Sequence, residues 1–111
     1  MSRYIPAASD LVWLEFNPQT GHEQAGRRPA IVLSQKEYNR KTGLAICCPI
    51  TSKIKGYPFE VLVTGQKING AVLADQVKSF DWKARKAKFI EQADPTVFDE
   101  VVGKLQVIIG Y

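Results

Sequence analysis

The stretch Glu23-Gln24-Ala25-Gly26-Arg27-Arg28-Pro29 sets an acid, an amide and two guanidiniums among small residues. Guanidinium forks grip phosphate oxygens in pairs and small neighbours let a backbone come close, so this composition suits phosphate recognition. An exposed loop with a solvated charge pair has the same composition, and composition alone points to that plainer reading. Position points the other way. Arg28 stands at the entrance to the apolar run Ala30-Ile31-Val32-Leu33, and Thr51 stands at the exit of another, Leu44 to Ile50. A hydroxyl beside a guanidinium would put two donors around one phosphate oxygen. A threonine at a strand end is equally one that tolerates both strand and turn.

A second region, Lys78-Ser79-Phe80-Asp81-Trp82-Lys83-Ala84-Arg85-Lys86-Ala87-Lys88, interleaves cations with aromatics, the chemistry of single-stranded RNA binding. Phe80 and Trp82 serve as well as anchors of a core or a dimer interface, with the lysines in water. Lys53 and Lys55 would extend the same basic groove. His22 is the sole histidine, which excludes a two-histidine acid–base ribonuclease within one protomer. Cys47 and Cys48 are adjacent, so a strand would send them to opposite faces as packing residues, and no metal-ligand spacing accompanies them. Neither a metal nor a small-molecule cofactor is expected. Walker A, HExxH and GxSxG patterns are missing, which removes nucleotide hydrolysis, zinc proteolysis and α/β-hydrolase chemistry.

The elements that must hold these residues are mostly strands. Asp10–Phe16 is a β-rich run ended by Asn17-Pro18; Ala30–Ser34 and Leu44–Ile50 are continuous apolar runs of strands buried on both faces. Between them Glu37-Tyr38-Asn39 suits one helical turn. Phe59–Val63 predicts another strand, Asn69-Gly70 a turn leading into Ala71–Val77, and Lys86–Ile90 an edge strand guarded by lysines. The C-terminal segment predicts a helix: Asp94 caps it, Pro95 suits its first position, and Gly110 stops it. Val97, Val101, Leu105 and Ile109 form its apolar stripe, widened by Phe98, Val102 and Ile108. Five or six strands plus this helix give a mainly β fold, an SH3-like antiparallel barrel, as a single domain over residues 1–111. The net charge of +4 is compatible with a nucleic-acid partner. No apolar run approaches the ~18–20 residues of a membrane span and no secretory h-region opens the chain, so a cytoplasmic protein is expected.

Taken together, these segments resemble the MazF/Kid (PemK) family of toxin endoribonucleases from about Asp10 to Gly110. The resemblance is carried by Gly21-His22-Glu23-Gln24-Ala25-Gly26-Arg27-Arg28-Pro29-Ala30, Tyr38-Asn39, Pro49-Ile50-Thr51, Lys55-Gly56-Tyr57-Pro58-Phe59-Glu60 and Ala74-Asp75-Gln76-Val77-Lys78-Ser79. It implies a CcdB/MazF-type barrel, a homodimer, a cognate antitoxin of the MazE/PemI kind, and metal-independent cleavage of single-stranded RNA at short sequences. In such a reaction the ribose 2′-hydroxyl attacks the neighbouring phosphate and leaves a 2′,3′-cyclic phosphate and a 5′-hydroxyl.

Residue by residue, the resemblance puts Arg28 and Thr51 at the family's catalytic arginine and threonine. A guanidinium is a poor base near neutrality, so Arg28 reads as an electrostatic stabiliser and a candidate acid. Glu23 is a candidate for general base or for recognition of a nucleobase edge. Phe16, Gln24, Lys55, Gln76 and Arg85 would line the RNA groove. Two departures stand out: Asn17 where family members often have aspartate, which bears on base preference, and Gln35 after Ser34 where proline is usual. A non-enzymatic gyrase poison of the CcdB kind would share the barrel, but such toxins end in tryptophan-glycine-isoleucine and this chain in Ile108-Ile109-Gly110-Tyr111. An SH3-like RNA-binding module needs only the groove and its aromatics.

Overall fold

Apolar residues run on through several strands without alternating with polar ones, which demands a sheet covered on both faces. The computed structural model describes residues 3–16 and 26–110. In chain order it contains β1 (Asp10–Glu15), β2 (Arg27–Val32), α1 (Lys36–Thr42), β3 (Leu44–Thr51), β4 (Glu60–Thr64), β5 (Asn69–Leu73), a 3-10 turn (Ala74–Gln76), β6 (Lys78–Asp81), β7 (Lys88–Gln92) and α2 (Pro95–Ile109). The strands form one curled antiparallel sheet in the order β4-β5-β3-β2-β1-β7, with β6 also on β3.

Two cores lie on its two faces. Leu11, Ile31, Cys48, Ile50, Val72 and Ile90 share one with Val101 of α2; Val12, Leu14, Phe16, Ala30, Val32, Cys47, Phe80 and Trp82 form the other. Successive residues of β1, β2 and β3 thus alternate between cores, and the two cysteines part as expected. Burial pushes the Cys47 thiol well up, with Cys48 adding to the shift, and pushes Cys48 up to about 12, with Asp75 adding, so both stay protonated packing groups.

The expected mainly β barrel with a C-terminal helix is borne out as a half-closed barrel whose strand path ends at β4 and β7, the latter being the lysine-guarded strand. A carboxylate joins those two ends. Glu91 of β7 accepts the backbone N–H groups of Gln66, Lys67 and Ile68 at 3.1, 2.9 and 2.9 Å, gripping the β4–β5 turn. The helix signals also hold: Asp94 accepts the N–H of Thr96 at 2.9 Å, Pro95 opens α2, and Gly110 ends it in the left-handed region at φ 80°.

Four expectations need correction. Asn69-Gly70 is not the turn: both residues belong to β5, and the chain reverses over Gly65–Ile68. Ala71–Val77 is not one strand. From Cys47 to Ile50, three residues along β3 face six along the partner, from Lys78 back to Val72, and the three-residue 3-10 turn takes up the difference. Beyond that turn β6 raises the sheet to seven strands; its alternation is short and its exposed positions are Lys78, Ser79 and Asp81, so in sequence the segment reads as a groove rather than a strand. Finally, the helix stripe stops early: Val101 is buried and Val97, Phe98 and Leu105 pack on the core, but Ile109 is 74% exposed.

Candidate active site

Arg27 and Arg28 are separated by the pleat of β2. Arg28 pairs across β1 with Leu14, and directly opposed residues of an antiparallel pair share a face, so Arg28 lies on the side of the second core. Arg27 pairs with Glu15 and faces the other way, where its guanidinium sits 3.9 Å from a Glu15 carboxylate oxygen and 6.0 Å from the Trp13 ring centre. The adjacent guanidiniums therefore lie on opposite faces of β2.

Thr51 reaches the same place from β3. The ladder between β2 and β3 runs through Val32↔Cys47 and Ile31↔Cys48 to Ala30↔Pro49. Beyond that pair the strands part: β2 continues against β1 through Arg28, while β3 continues against β5 through Thr51↔Ala71. Two residues past the last rung on each strand, Arg28 and Thr51 flank the opening, and both share a face with Ala30 and Pro49. Arg28 is half-buried and Thr51 buried at 6% exposure. The backbone N–H of Lys53 donates to Thr51 Oγ1 at 3.1 Å. A hydroxyl that already accepts one hydrogen bond keeps its proton to donate, the polarity an anionic phosphate requires.

Other predicted site residues have local partners of their own. Arg85 is half-buried at the end of β1, where its guanidinium donates to the Glu15 carbonyl at 3.2 Å and lies 5.8 Å from the Phe80 ring centre. Gln76, half-buried, belongs to the 3-10 turn inserted alongside β3. Lys55 is exposed four residues beyond Thr51, its ammonium 5.9 Å from the Tyr57 ring centre. Phe16 is the departure: at 7% exposure its ring packs edge-on against Phe80, centres 5.1 Å apart, so it supports the wall of the site from within the core. Glu23 and Gln24 lie outside the described residues.

The two readings of Phe80 and Trp82 resolve toward packing. Both are buried, and the Trp82 indole N–H donates to the Asn39 carbonyl at 2.9 Å. Asn39 is itself fully buried, donating to the carbonyls of Pro6 at 2.8 Å and Ser34 at 3.1 Å, so this network locks α1 and the N-terminal segment onto the second core. Glu60 is a residue that sequence reasoning misses as a group with its own task. Its carboxylate accepts the N–H of Lys55 at 3.2 Å and of Gly56 at 2.9 Å, folding the β3–β4 loop back onto the start of β4. The available signal is its place in the Lys55-to-Glu60 motif.

Residues 7–109 match a family model described as PemK-like, MazF-like toxin of type II toxin–antitoxin system. The chain belongs to this toxin family. Over 110 residues it is 49% identical to the endoribonuclease toxin MazF of Escherichia coli K12, covering 99% of each chain, and it is 34% identical to the Escherichia coli endoribonuclease PemK over 96% of this chain and 88% of that one. Among solved structures, MazF from Deinococcus radiodurans superposes with a TM-score of 0.94 at 51% identity, covering 98% of this chain and all of the other. A chain of the MazE–MazF complex from the same organism gives a TM-score of 0.88 at 51% identity, covering 97% and 98%. Among the described residues of this family member, no cluster of histidine, cysteine and acidic side chains could hold a metal ion, and no helix is long and apolar enough to cross a membrane.

Proposed function

We propose a specific chemistry for a chain that is, by family and by relatives, a toxin endoribonuclease of a toxin–antitoxin system: cleavage of single-stranded RNA by internal transesterification, without a metal ion. The 2′-oxygen attacks the adjacent phosphorus as its proton passes to a base, the P–O5′ bond breaks, and O5′ takes up a proton. The products are a 2′,3′-cyclic phosphate and a 5′-hydroxyl. The observation that carries this reading is the opposition of Arg28 and Thr51 where β2 and β3 part. Negative charge builds on the phosphorane oxygens, and preorganised donors aimed there stabilise the transition state more than the ground state.

Arg28 is the electrostatic stabiliser and the proton donor to O5′; Thr51 is the second phosphate donor. Glu23 takes the base or the base-edge role. Lys55, Gln76, Arg85 and Gln24 line the path of the RNA, with Phe16 supporting it from beneath. The working protein is a cytoplasmic homodimer, and a basic groove of this kind accepts an acidic, largely disordered antitoxin segment that folds on binding.

The test is cleavage of a fluorogenic RNA oligonucleotide in EDTA, with product ends identified by mass. Cleavage is expected to persist in EDTA and to vanish when hydrogen replaces the scissile 2′-hydroxyl. Cutting of that deoxy substrate, or full activity in both Arg28→Ala and Thr51→Ala, would overturn the assignment.

A further inference from the structure

We propose that Gly70 is a positioning residue for Thr51, acting through contact of its backbone with the exit of β3. The inference rests on the reading of Thr51 as a phosphate donor and deepens it. β5 runs against the end of β3 with Thr51 opposite Ala71 and Ile50 opposite Val72, and Gly70 is the next residue outward. A Cβ placed on Gly70 would lie 2.4 Å from the Thr51 carbonyl oxygen and 3.2 Å from Ile50 Cγ2. The first distance is far inside van der Waals contact, and the atom it meets is backbone rather than the movable tip of a side chain.

Conformation does not explain this glycine. Gly70 is outside the set of residues at positive φ, and the Asn69-Gly70 pair that suggests a turn lies within β5. Space explains it. β5 closes on β3 with nothing between them, so the position of Thr51 is fixed by an approach only glycine permits. Any side chain at residue 70 must push the Thr51 carbonyl by several tenths of an ångström. The displacement carries with it the Thr51 Cα, its buried hydroxyl and the 3.1 Å bond from the Lys53 N–H that holds the hydroxyl in its donating sense. Gly65, in the turn of the same hairpin, offers a comparison: the nearest atoms to a Cβ there are Glu91 Oε2 at 2.5 Å, Glu91 Cδ at 3.0 Å and the Ile68 carbonyl oxygen at 3.1 Å, none of them from Thr51.

The experiment measures kcat on the fluorogenic RNA and affinity for the same oligonucleotide with deoxyribose at the scissile position, in Gly70→Ala, Thr51→Ala, the double variant and Gly65→Ala. Gly70→Ala is expected to lower kcat by about 10- to 100-fold, the scale of a sub-ångström misplacement of a reacting group. Affinity for the uncleavable RNA should stay within about twofold, the scatter of independent effects. In the Thr51→Ala background Gly70→Ala should cost no further turnover, and Gly65→Ala should keep wild-type kcat. Wild-type kcat in Gly70→Ala, or an equal loss in both backgrounds, overturns the proposal. Full activity in Thr51→Ala overturns instead the reading of Thr51 on which it stands. Where circular dichroism finds Gly70→Ala unfolded, Ala71→Gly takes its place: it loosens β5 opposite Thr51 without a clash and must show the same non-additivity, and wild-type kcat there refutes the idea.

Discussion

Arg27 and Arg28 are chemically identical and one peptide bond apart, and the pleat puts them on opposite faces, so the proposed reading gives them different tasks. Arg27 pairs on the side of the first core with Glu15 and Trp13. Its removal costs an exposed ion pair and a ring contact, worth up to about 1 kcal/mol of stability, and leaves turnover within a few-fold of wild type. Arg28→Ala should lower kcat by about 10²- to 10³-fold, the loss typical of one donor to a developing oxyanion. Arg28→Lys should recover only part, because an ammonium keeps the charge but not the planar fork. Steady-state kinetics on the RNA substrate, with thermal melts as a folding control, checks all three. Equal losses for Arg27→Ala and Arg28→Ala would mean the pleat does not separate their tasks. The motif register chooses Arg28 in the sequence; the pairing with Leu14 gives the physical reason for the choice.

At the scale of elements, what is legible in the chain is whatever is decided locally. The signals at both ends of α2, Asp94, Pro95 and Gly110, act on the backbone within a turn, and they land where the sequence puts them. The 3-10 turn is not legible, because Ala74 to Gln76 is an insertion defined by β3, a partner distant in sequence. Asn69-Gly70 misleads for a related reason: its glycine answers to Thr51 across the sheet rather than to its own φ. Opposition of Arg28 and Thr51 is anticipated by the motif, but its cause, the parting of β2 and β3 after Ala30 and Pro49, belongs to pairing. Closure between β4 and β7 is also non-local and rests on Glu91, which makes it pH-dependent. Hydrogen bonds from the backbone N–H of Lys67, then Ile68 and Gln66, hold the Glu91 carboxyl below its usual range by favouring its ionised form. A depressed folded value means the stabilisation is present above the ordinary carboxylate pKa of about 4.3 and is lost as pH falls through the folded value. Glu91→Ala should therefore melt below wild type at neutral pH, with the gap narrowing as pH drops under about 4. A gap of constant size from neutral to strongly acid pH would show that the charge of Glu91 plays no part.

Across the whole molecule, cations sit over aromatic rings of which Phe80 and Trp82 turn inward and Tyr57 is exposed. Lys55, Lys78, Lys83 and Arg85 lie within 6 Å of the ring centres of Tyr57, Phe80, Trp82 and Phe80 respectively, the rings of Phe80 and Trp82 being buried. If this surface takes RNA as proposed, the buried rings of Phe80 and Trp82 leave its phosphates as the main handle there, and phosphate binding releases counterions. For single strands the logarithm of affinity falls against the logarithm of salt with a slope of about 0.7 per phosphate neutralised. Lys55→Ala is the cleanest probe, since the backbone N–H that Glu60 holds survives the substitution. It should reduce the salt slope for uncleavable RNA by about 0.7 and weaken binding at low salt more than at high salt. An acidic antitoxin segment lying in the same groove meets the same ammonium, so its affinity should lose salt dependence in the same variant. Titrating both ligands across a salt series separates the cases. If the RNA slope falls and the antitoxin slope does not, the antitoxin inhibits from another face; if neither falls, the RNA passes Lys55 by and the groove must be redrawn toward Arg85 and the 3-10 turn.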